Sequence, residues 1–479
     1  MRRSSDILAL SWGLVTAALT LTPWAWLSVL PLAVWLHHAA QADTARRMGV
    51  AAFAYTGLHL WWIAVLAAKI FGVPPLGGLA LILYAIQGLF FAALGWLVLR
   101  FFHTPRARLW ALAGGWVILE WLRTLGTLAF PWPTLGYVWL DTPVAQVAAL
   151  GGLLLLSWLA VTTAVALADA LITRRPWPLL TLLGLLGLST AYGLTRLPAQ
   201  GEPARAFLTR TEVDGFDRFS GGLLPELLSA SQDRPAGEVL IWSETALDVN
   251  AGDQVLFPGP GISGAHLREE DFGRNLAVAI DSDGQILVQN DKGRPVPFGE
   301  AFPLQDVLGP LYTTLGGLTG FDLSTSIRPA QQMIPLVLEG IRYGVYICYD
   351  SVFSWPARQL TRQGAEVLVN VSNDSWYAAA GVQQHFNMGR VRAIENRRWV
   401  LRSVQRGWAG SVNDLGQPVQ VLKEGTGGFS AEYQRLTGQT IYTRLGDAPV
   451  LLLALALILG AQRLNLNSDL SFQVKEVES

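Results

Sequence analysis

Residues 343–350 read YGVYICYD, and this short stretch decides the fold. Aromatic and β-branched side chains dominate its first five positions, which is typical of a buried β-strand. The strand ends on Cys348, and a helix is predicted soon afterwards over residues 355–364. A side chain at such a junction is exposed for attack, and nearby backbone N–H groups can stabilise an oxyanion. Cys348 is therefore a candidate nucleophile.

Cys348 is also the only cysteine of the chain. A single cysteine excludes an intramolecular disulfide and leaves two interpretations, a reactive thiol or an inert buried one. Composition alone favours the inert thiol, because cysteines buried in apolar surroundings react poorly. The residues around Cys348 must decide between the two.

Similar short runs, rich in valine and isoleucine, recur through residues 200–440, which are also rich in charge, glycine and proline. The predicted strands besides YGVYIC (343–348) are EVLIW (238–242), RNLAVAI (274–280), ILVQN (286–290), EVLVNVS (366–372) and WVLRSV (399–404). DSDG (281–284) and NDLG (413–416) predict hairpin turns, and residues 387–396 predict a second helix. A segment of this size buries a sizeable core, so we predict one α/β domain with layered sheets.

Three charged side chains are candidates to work with the thiol. Glu244 ends a strand in IWSETA (241–246), and a carboxylate at a strand end faces the usual site edge of an α/β domain. Lys292 and Glu300 lie eight residues apart in the loop NDKGRPVPFGE (290–300). Each alone is more simply a solvated surface charge. Together they offer the base that makes a thiolate and the cation that steadies negative charge.

Two other polar residues have simpler explanations. His385 in QQH (383–385) is predicted to be a structural, hydrogen-bonding histidine rather than a base. No second His or Cys lies at ligand spacing, so no metal site is expected. Glu120 lies within an apolar run, where it either faces other helices or a lipid head group, or makes a buried hydrogen bond.

The first 195 residues are far more apolar than the domain that follows. Only 15% of the chain is charged, against about 25% in a typical soluble domain, and the deficit is concentrated here and near the end. Several apolar runs approach or exceed the ~20 residues that cross a bilayer as a helix, and Trp and Tyr lie at their ends. The seven runs are 7–21, 24–35, 50–71, 76–99, 109–122, 144–172 and 179–194.

Loop charges predict the orientation of these spans. With the N-terminus inside, the cytoplasmic loops carry arginines and the short outer loops almost none, as the positive-inside rule requires. The arginines are Arg46, Arg47, Arg100, Arg106, Arg108, Arg174 and Arg175. A last apolar run, 448–461, would return the chain to the inside. The predicted organisation is transmembrane helices one to seven in 1–197, an extracytoplasmic domain in 198–440, a C-terminal transmembrane helix in 441–464 and a cytoplasmic tail in 465–479.

Several motifs occur in an order that resembles one family. They are IWSETA (241–246), KGRPVPFGE (292–300), GVYICYD (344–350), NVSNDSWY (370–377) and QQHFNMGRVRAIENRRWVLRS (383–403), with FPWPTLGY (130–137) after the fifth span. The soluble part resembles the nitrilase superfamily of carbon–nitrogen hydrolases. The whole chain resembles the membrane-embedded branch, the apolipoprotein N-acyltransferases, in both motifs and topology.

This resemblance implies a fold, an activity and a site. The fold would be a polytopic helical membrane domain of about eight spans plus an exoplasmic αββα sandwich. The catalytic triad would fall on Glu244, Lys292 and Cys348. The supporting residues would be Glu300, Tyr349, Asp350 and Trp376. The enzyme would sit in the bacterial cytoplasmic (inner) membrane, with its catalytic domain on the extracytoplasmic side.

The implied reaction is ping-pong acyl transfer through a thioester. A phospholipid such as phosphatidylethanolamine would give its sn-1 acyl chain to Cys348. The α-amino group of the N-terminal diacylglyceryl-cysteine of an apolipoprotein would then accept it. Covalent chemistry of this kind needs no cofactor and no metal. The net charge is −1 and no basic stripe is present, which argues against nucleic acid as a partner.

Four positions depart from the family pattern. Asp350 stands where Glu is usual, Ser243 where Pro is usual, and Asn290 where an aromatic residue is usual. The opening strand of the soluble domain reads FLTRTEVDGF (207–216) instead of a VQxNI-like sequence. This last change puts in doubt the residues that line the lipid groove there, but it leaves the triad unaffected.

Two other functions remain open on sequence grounds. One is a membrane-anchored amidase of the nitrilase type that uses water as acceptor. Seven or eight spans are far more membrane than an anchor needs, which favours acyl transfer. The other is a non-catalytic membrane scaffold or transporter, for which Cys348 would be dispensable.

Overall fold

A computed structural model of the chain describes residues 2–214, 222–249, 254–269, 272–319 and 325–477. The chain divides into two compact units. One comprises residues 1–124, 131–196 and 447–479, and the other comprises residues 125–130 and 197–446. Of the divergent segment 207–216, residues 215 and 216 lie outside the described residues.

The first unit is helical, and its helices coincide with the apolar runs of the sequence. They are α1 (Arg2–Thr20), α2 (Val29–Ala40), α3 (Arg46–His59), α4 (Trp61–Phe71), α5 (Ala80–Phe101), α6 (Pro105–Leu122), α7 (Ala148–Thr173) and α8 (Trp177–Leu194). Within the described residues, four helical stretches of the whole chain are long and apolar enough to cross a membrane, or five if a bent pair counts as one span. The seven plus one spans expected from the sequence therefore remain a prediction.

Two of these spans are interrupted. The predicted run 50–71 is split between α3 and α4, which bend by 60° around Leu60. Within α7, Gly151 and Gly152 leave helical geometry, and Gly152 has φ +69° and ψ −170°, a conformation that side chains disfavour. A hydropathy profile sees only apolar residues at these positions, so it cannot predict the breaks.

The second unit contains all the strands in the described part of the chain. They are β1 (Glu202–Thr211), β2 (Val239–Ile241), β3 (Leu247–Asp248), β4 (Gly261–Arg268), β5 (Gly273–Ile280), β6 (Ile286–Asp291), β7 (Leu336–Leu338), β8 (Ile341–Ile347), β9 (Val367–Asn373), β10 (Val400–Gln405), β11 (Ala409–Val412), β12 (Pro418–Leu422) and β13 (Gly427–Arg435). The six predicted strands are confirmed as β2, β5, β6, β8, β9 and β10.

Five helices accompany these strands. They are α9 (Leu223–Ala230), α10 (Gln305–Thr319), α11 (Ser354–Arg362), α12 (Ala379–Asn396) and α13 (Ile441–Leu445). The two predicted helices are confirmed as α11 and the second half of α12. Both predicted turns are also present, since Gly284 has φ +79° after β5 and Gly416 has φ +76° after β11.

The strands form one curled, nearly closed sheet in the order β6-β5-β4-β2-β1-β10-β9-β8-β7. Side chains on one face of both halves share a core, to which Ile241 and Ala277 contribute from one half and Val345 from the other. Successive residues of a strand face opposite sides. Leu240 accordingly packs outward in a separate cluster with Leu227 of α9.

The other half of the sheet is covered in the same way. Tyr346 of β8 and Leu368 of β9 face outward and pack with Leu360 of α11 and Phe386 of α12. The layers therefore run helix, sheet, sheet, helix, as expected. β1 pairs with β10 in the middle of the strand order, so the two halves of the sandwich form a single continuous sheet.

The C-terminal helix α14 (Ala448–Val477) belongs to the first unit. The sequence interpretation started this helix at residue 441. In the structure α13 ends instead at Gly446, whose φ of +64° and ψ of −144° break the helix. The second unit consequently extends to Gly446, and α14 begins two residues later.

Candidate active site

The parallel strands of the sheet bring their carboxyl ends to one edge. β2, β1, β10, β9 and β8 are mutually parallel in that order. Side chains that follow such strands gather at the same edge, which is the usual site position in α/β domains. Glu244 follows β2 and Cys348 follows β8, so the topology places both residues there.

Cys348 lies on a sharp turn directly after β8. It begins a short 3-10 helix, Cys348–Val352, and its φ is +44°. A non-glycine residue in this left-handed region costs roughly 1–2 kcal/mol, so the surrounding structure must hold it there. The side chain is buried, and Sγ lies 3.9 Å from the carbonyl oxygen of Asn373. The strand-to-helix junction predicted from the sequence is thus present, but the side chain expected to be exposed there is buried.

Asp350 ties this turn to the loop that carries the lysine. Its carboxylate accepts backbone N–H groups from Ile347 at 2.9 Å, Gly293 at 3.2 Å and Arg294 at 2.6 Å. Burial raises the pKa of Asp350 to about 7, although these amides and Lys292 oppose the shift. Asp350 therefore joins the cysteine turn to the lysine loop, rather than facing the thiol.

Lys292 is the centre of a buried charge cluster. Its Nζ donates to Oε1 of Glu244 at 2.9 Å and to Oε1 of Glu300 at 2.7 Å. The Nδ2 atom of Asn275 donates to the same two carboxylate oxygens, at 2.9 and 3.0 Å. The structure therefore brings three of the predicted residues into one hydrogen-bonded cluster. Asn275, on β5, was not predicted from the sequence.

Lys292 is cationic in this environment. Burial disfavours its charge, but Glu244, Glu300 and the thiol of Cys348 together raise the pKa of Lys292 well above its usual value. An ammonium group has three N–H donors, and two of them serve the carboxylates. The third has no acceptor among the described residues, so it can serve an oxygen that becomes negative during the reaction.

The surroundings of the thiol favour its protonated form. Burial raises the pKa of Cys348, the negative charge of Glu244 raises it further, and Lys292 lowers it only in part. Both hydrogen bonds that the Glu244 carboxylate accepts go to Oε1. Its Oε2 has no hydrogen-bond partner within the described ranges. This oxygen can therefore take the thiol proton when a substrate arrives.

Replacing Glu244 by glutamine tests this electrostatic coupling. Glu244→Gln removes the negative charge that raises the pKa of Cys348, so alkylation of the thiol should become faster at a given pH. The measurement is the rate of iodoacetamide labelling against pH, with its midpoint expected at lower pH than in the wild type. Glu432→Gln, at an exposed glutamate, is the control. An unchanged midpoint in Glu244→Gln would rule out the coupling.

A second buried network lies behind the nucleophile. Nε2 of His385 lies 3.1 Å from the carbonyl oxygen of Cys348 and 2.7 Å from Oγ of Ser351. Its Nδ1 lies 2.8 Å from Oδ1 of Asp374, which also accepts from Arg402 at 2.8 Å. Despite burial, Arg402 and His385 lower the pKa of Asp374 to about 2. His385 thus supports the cysteine turn, which agrees with the structural role expected of it.

The remaining predicted residues lie around this centre. Tyr349 is buried and donates its hydroxyl to the carbonyl oxygen of Ala129, 3.0 Å away. Trp376 is half-buried and follows β9 by three residues. The role of Trp376 in shaping the site remains a prediction.

Two residues that hold Glu244 in place were not expected. Gln405 donates its Nε2 to the carbonyl oxygen of Glu244 at 2.7 Å. Gly264 packs so closely that a Cβ there would lie 2.5 Å from Cα of Glu244. The sequence signal for Asn275 and Gln405 is a polar residue in an apolar strand, because buried polar groups must be bonded. Gly264 shows no such signal.

The second unit is a carbon–nitrogen hydrolase domain. A family model described as carbon–nitrogen hydrolase matches residues 261–434, which contain Lys292 and Cys348. A model for the N-terminal domain of apolipoprotein N-acyltransferase matches residues 8–166. A carbon–nitrogen hydrolase structure from Helicobacter pylori is similar over 48% of this chain and 89% of its own, at 14% identity and TM-score 0.36.

Full-length relatives narrow the class further. An apolipoprotein N-acyltransferase from Azotobacter vinelandii is 30% identical, covering 95% of this chain and 95% of its own. An apolipoprotein N-acyltransferase from Bradyrhizobium diazoefficiens is 30% identical, covering 97% of this chain and 98% of its own. The chain therefore belongs to the apolipoprotein N-acyltransferase family.

Proposed function

We propose that this protein transfers an acyl chain from a phospholipid, through a thioester on Cys348, to the α-amino group of the diacylglyceryl-cysteine that begins an apolipoprotein. Membership of the family supports lipoprotein N-acylation as the activity. The observation that carries the assignment to residues is the buried cluster in which Lys292 bridges Glu244 and Glu300 beside the only thiol.

The first half-reaction forms the thioester. Glu244 takes the proton of Cys348, and the sulfur attacks the carbonyl carbon of the sn-1 ester. Lys292 and the backbone N–H of Tyr349, at the start of the 3-10 helix, stabilise the tetrahedral oxyanion. The carbon–oxygen bond to glycerol then breaks. Glu244 returns its proton to the leaving oxygen, and lysophospholipid departs.

The second half-reaction consumes the thioester. The α-amino group of the diacylglyceryl-cysteine attacks the thioester carbon while Glu244 takes a proton from the nitrogen. The carbon–sulfur bond breaks, an amide forms, and the thiol of Cys348 is regenerated. Neither half-reaction requires a metal or a nucleotide.

The supporting residues keep these groups in position. Glu300 shares Lys292 with Glu244 and accepts the backbone N–H of Val296 at 2.8 Å, which fixes the loop between them. Asp350 holds the cysteine turn against the lysine loop. Tyr349 and Trp376 shape the approach to the thiol. Positioning of this kind lowers the barrier because little reorganisation is needed during the reaction.

The membrane setting follows from the substrates. Both are lipids, so we propose eight spans in the bacterial cytoplasmic membrane, with the catalytic domain on the extracytoplasmic side. The arginine-rich loops support this orientation. The runner-up activity, amide hydrolysis with water as acceptor, uses the same cysteine chemistry but would leave the many apolar helices unexplained.

Intact mass of the purified full chain tests the proposal. Mixed with phosphatidylethanolamine in detergent, the protein should gain the mass of one acyl group, mapped by digestion to Cys348. Adding a synthetic diacylated lipopeptide should remove that mass and yield triacylated peptide. An adduct that water clears as fast as the lipopeptide does would favour the amidase. No adduct at all would contradict the proposal.

A further inference from the structure

The second unit contains a cavity of about 300 Å³ next to the charge cluster. Its lining includes the residues that directly follow Lys292, Glu300 and Cys348 in the sequence. The cavity therefore lies close to all three groups. The thiol itself does not line it.

The walls of this cavity are mostly apolar. Phe302, Leu304, Ile327 and Phe353 contribute, together with four prolines. Among the residues that line it, Arg294 alone carries a full charge. An apolar cavity with a single convergent cation is suited to an amphipathic molecule that carries one anionic group.

Arg294 is poorly satisfied where it lies. Its Nη1 donates to the carbonyl oxygen of Gly126 at 3.2 Å, and the guanidinium lies over the rings of Phe353 and Trp355, 5.3 and 5.6 Å from their centroids. Its Nε is buried without a hydrogen-bond partner, and no carboxylate pairs with the guanidinium, in the part of the chain that the structure describes.

The nearest negative charge is already occupied. Asp350 accepts the backbone N–H of Arg294, and its other bonds go to the amides of Ile347 and Gly293. A half-buried guanidinium with free donors loses solvation without gaining a partner. An incoming phosphate would restore that partner, because its oxygens match the fork of an arginine.

We infer that this cavity binds the phosphodiester of the acyl donor, with Arg294 as the residue that selects a phospholipid over a neutral glycerolipid. The inference rests on the proposed function, because it assigns the donor to that same site. Arg294 contacts the headgroup, whereas Glu244, Lys292 and Cys348 act on the ester. Donor binding and donor chemistry are thus assigned to different side chains.

The experiment compares two donors with the same acyl chains, phosphatidylethanolamine and diacylglycerol, in mixed detergent micelles. Acyl-enzyme formation is followed by intact mass at several donor concentrations. In Arg294→Gln, KM for phosphatidylethanolamine should rise about 10- to 100-fold, as expected for a lost charge-assisted hydrogen bond. The kcat should change little, and reactivity with diacylglycerol should be unchanged, so the preference between donors is lost.

Two further variants make the outcome specific. Arg294→Lys keeps the charge without the fork and should fall between the wild type and Arg294→Gln. Arg328→Gln removes an exposed arginine outside the cavity lining and should retain the wild-type preference.

An Arg294→Gln variant with wild-type KM for phosphatidylethanolamine, or with equal loss for both donors, would overturn the inference and leave the thioester proposal standing. A wild-type protein that forms no adduct from either donor would overturn both.

Discussion

Replacing Cys348 by serine should abolish acyl transfer while the protein stays folded. The rate should fall by roughly 10⁴-fold or more, as it does when the nucleophile is replaced in hydrolases that form a covalent acyl-enzyme. A hydroxyl is a far weaker acid than a thiol. Burial already raises the pKa of the Cys348 thiol. A serine hydroxyl in the same place would be still harder for Glu244 to deprotonate. The readout is the acyl adduct by intact mass, together with triacylation of a diacylated lipopeptide.

Serine is the right substitution because it alters little else. The hydroxyl occupies similar space, and the side chain can keep the left-handed φ of +44° as well as cysteine does. A melting temperature within a few degrees of the wild type would show that the turn is intact. If Cys348→Ser retained more than a few per cent of wild-type transfer, the thioester mechanism and the nucleophile assignment would both be wrong.

Replacing Lys292 by methionine should remove activity and also destabilise the catalytic domain. Lys292 and Glu244 are almost fully buried, with exposed side-chain fractions of 1% and 6%. Without the ammonium, Glu244 and Glu300 face each other with no counter-ion. Losing one partner of a buried ion cluster costs about 3 kcal/mol, which corresponds to a fall of roughly 10 °C in melting temperature.

A double variant separates the two effects. In Lys292→Met/Glu300→Gln a neutral amide replaces one of the two carboxylates, so the repulsion disappears. The melting temperature should therefore rise part of the way back to the wild-type value. Acyl-adduct formation should not return, because no cation faces the oxyanion. Recovery of activity in the double variant would mean that Lys292 serves only to balance charge. Thermal unfolding and intact mass on the same preparations decide this.

Local patterns predicted much of the catalytic domain. The six runs rich in valine and isoleucine became strands because their successive apolar side chains point to opposite faces of a sheet and can be buried on both. Two of the strands that escaped prediction, β4 and β13, lack this signature. β4 reads GISGAHLR and β13 reads GGFSAEYQR, with glycine and polar residues throughout. They form strands because partners with complementary registers lie beside them, which is a long-range effect.

The charge cluster shows a similar division. Glu244 and Cys348 could be found from their positions at strand ends, and Lys292 and Glu300 from the family motif. Asn275 is a polar residue in an apolar strand, but this signal does not name its partner. Its contact with Glu244 depends on the sheet order, in which β4 separates β5 from β2. Distances between strands that are remote in the chain are not written in any local pattern. The breaks within the predicted spans are also invisible to local patterns, since the bend at Leu60 depends on packing.

The burial of Cys348 also has a consequence for redox chemistry. Oxidants such as peroxide attack thiolates, and a protonated, enclosed thiol is oxidised slowly. Burial raises the pKa of Cys348 and so disfavours the reactive thiolate. A lone thiol in a domain that we propose to face an oxidising compartment can therefore survive there without a disulfide partner or a reducing system. The same burial that makes the cysteine look inert by composition protects it between turnovers.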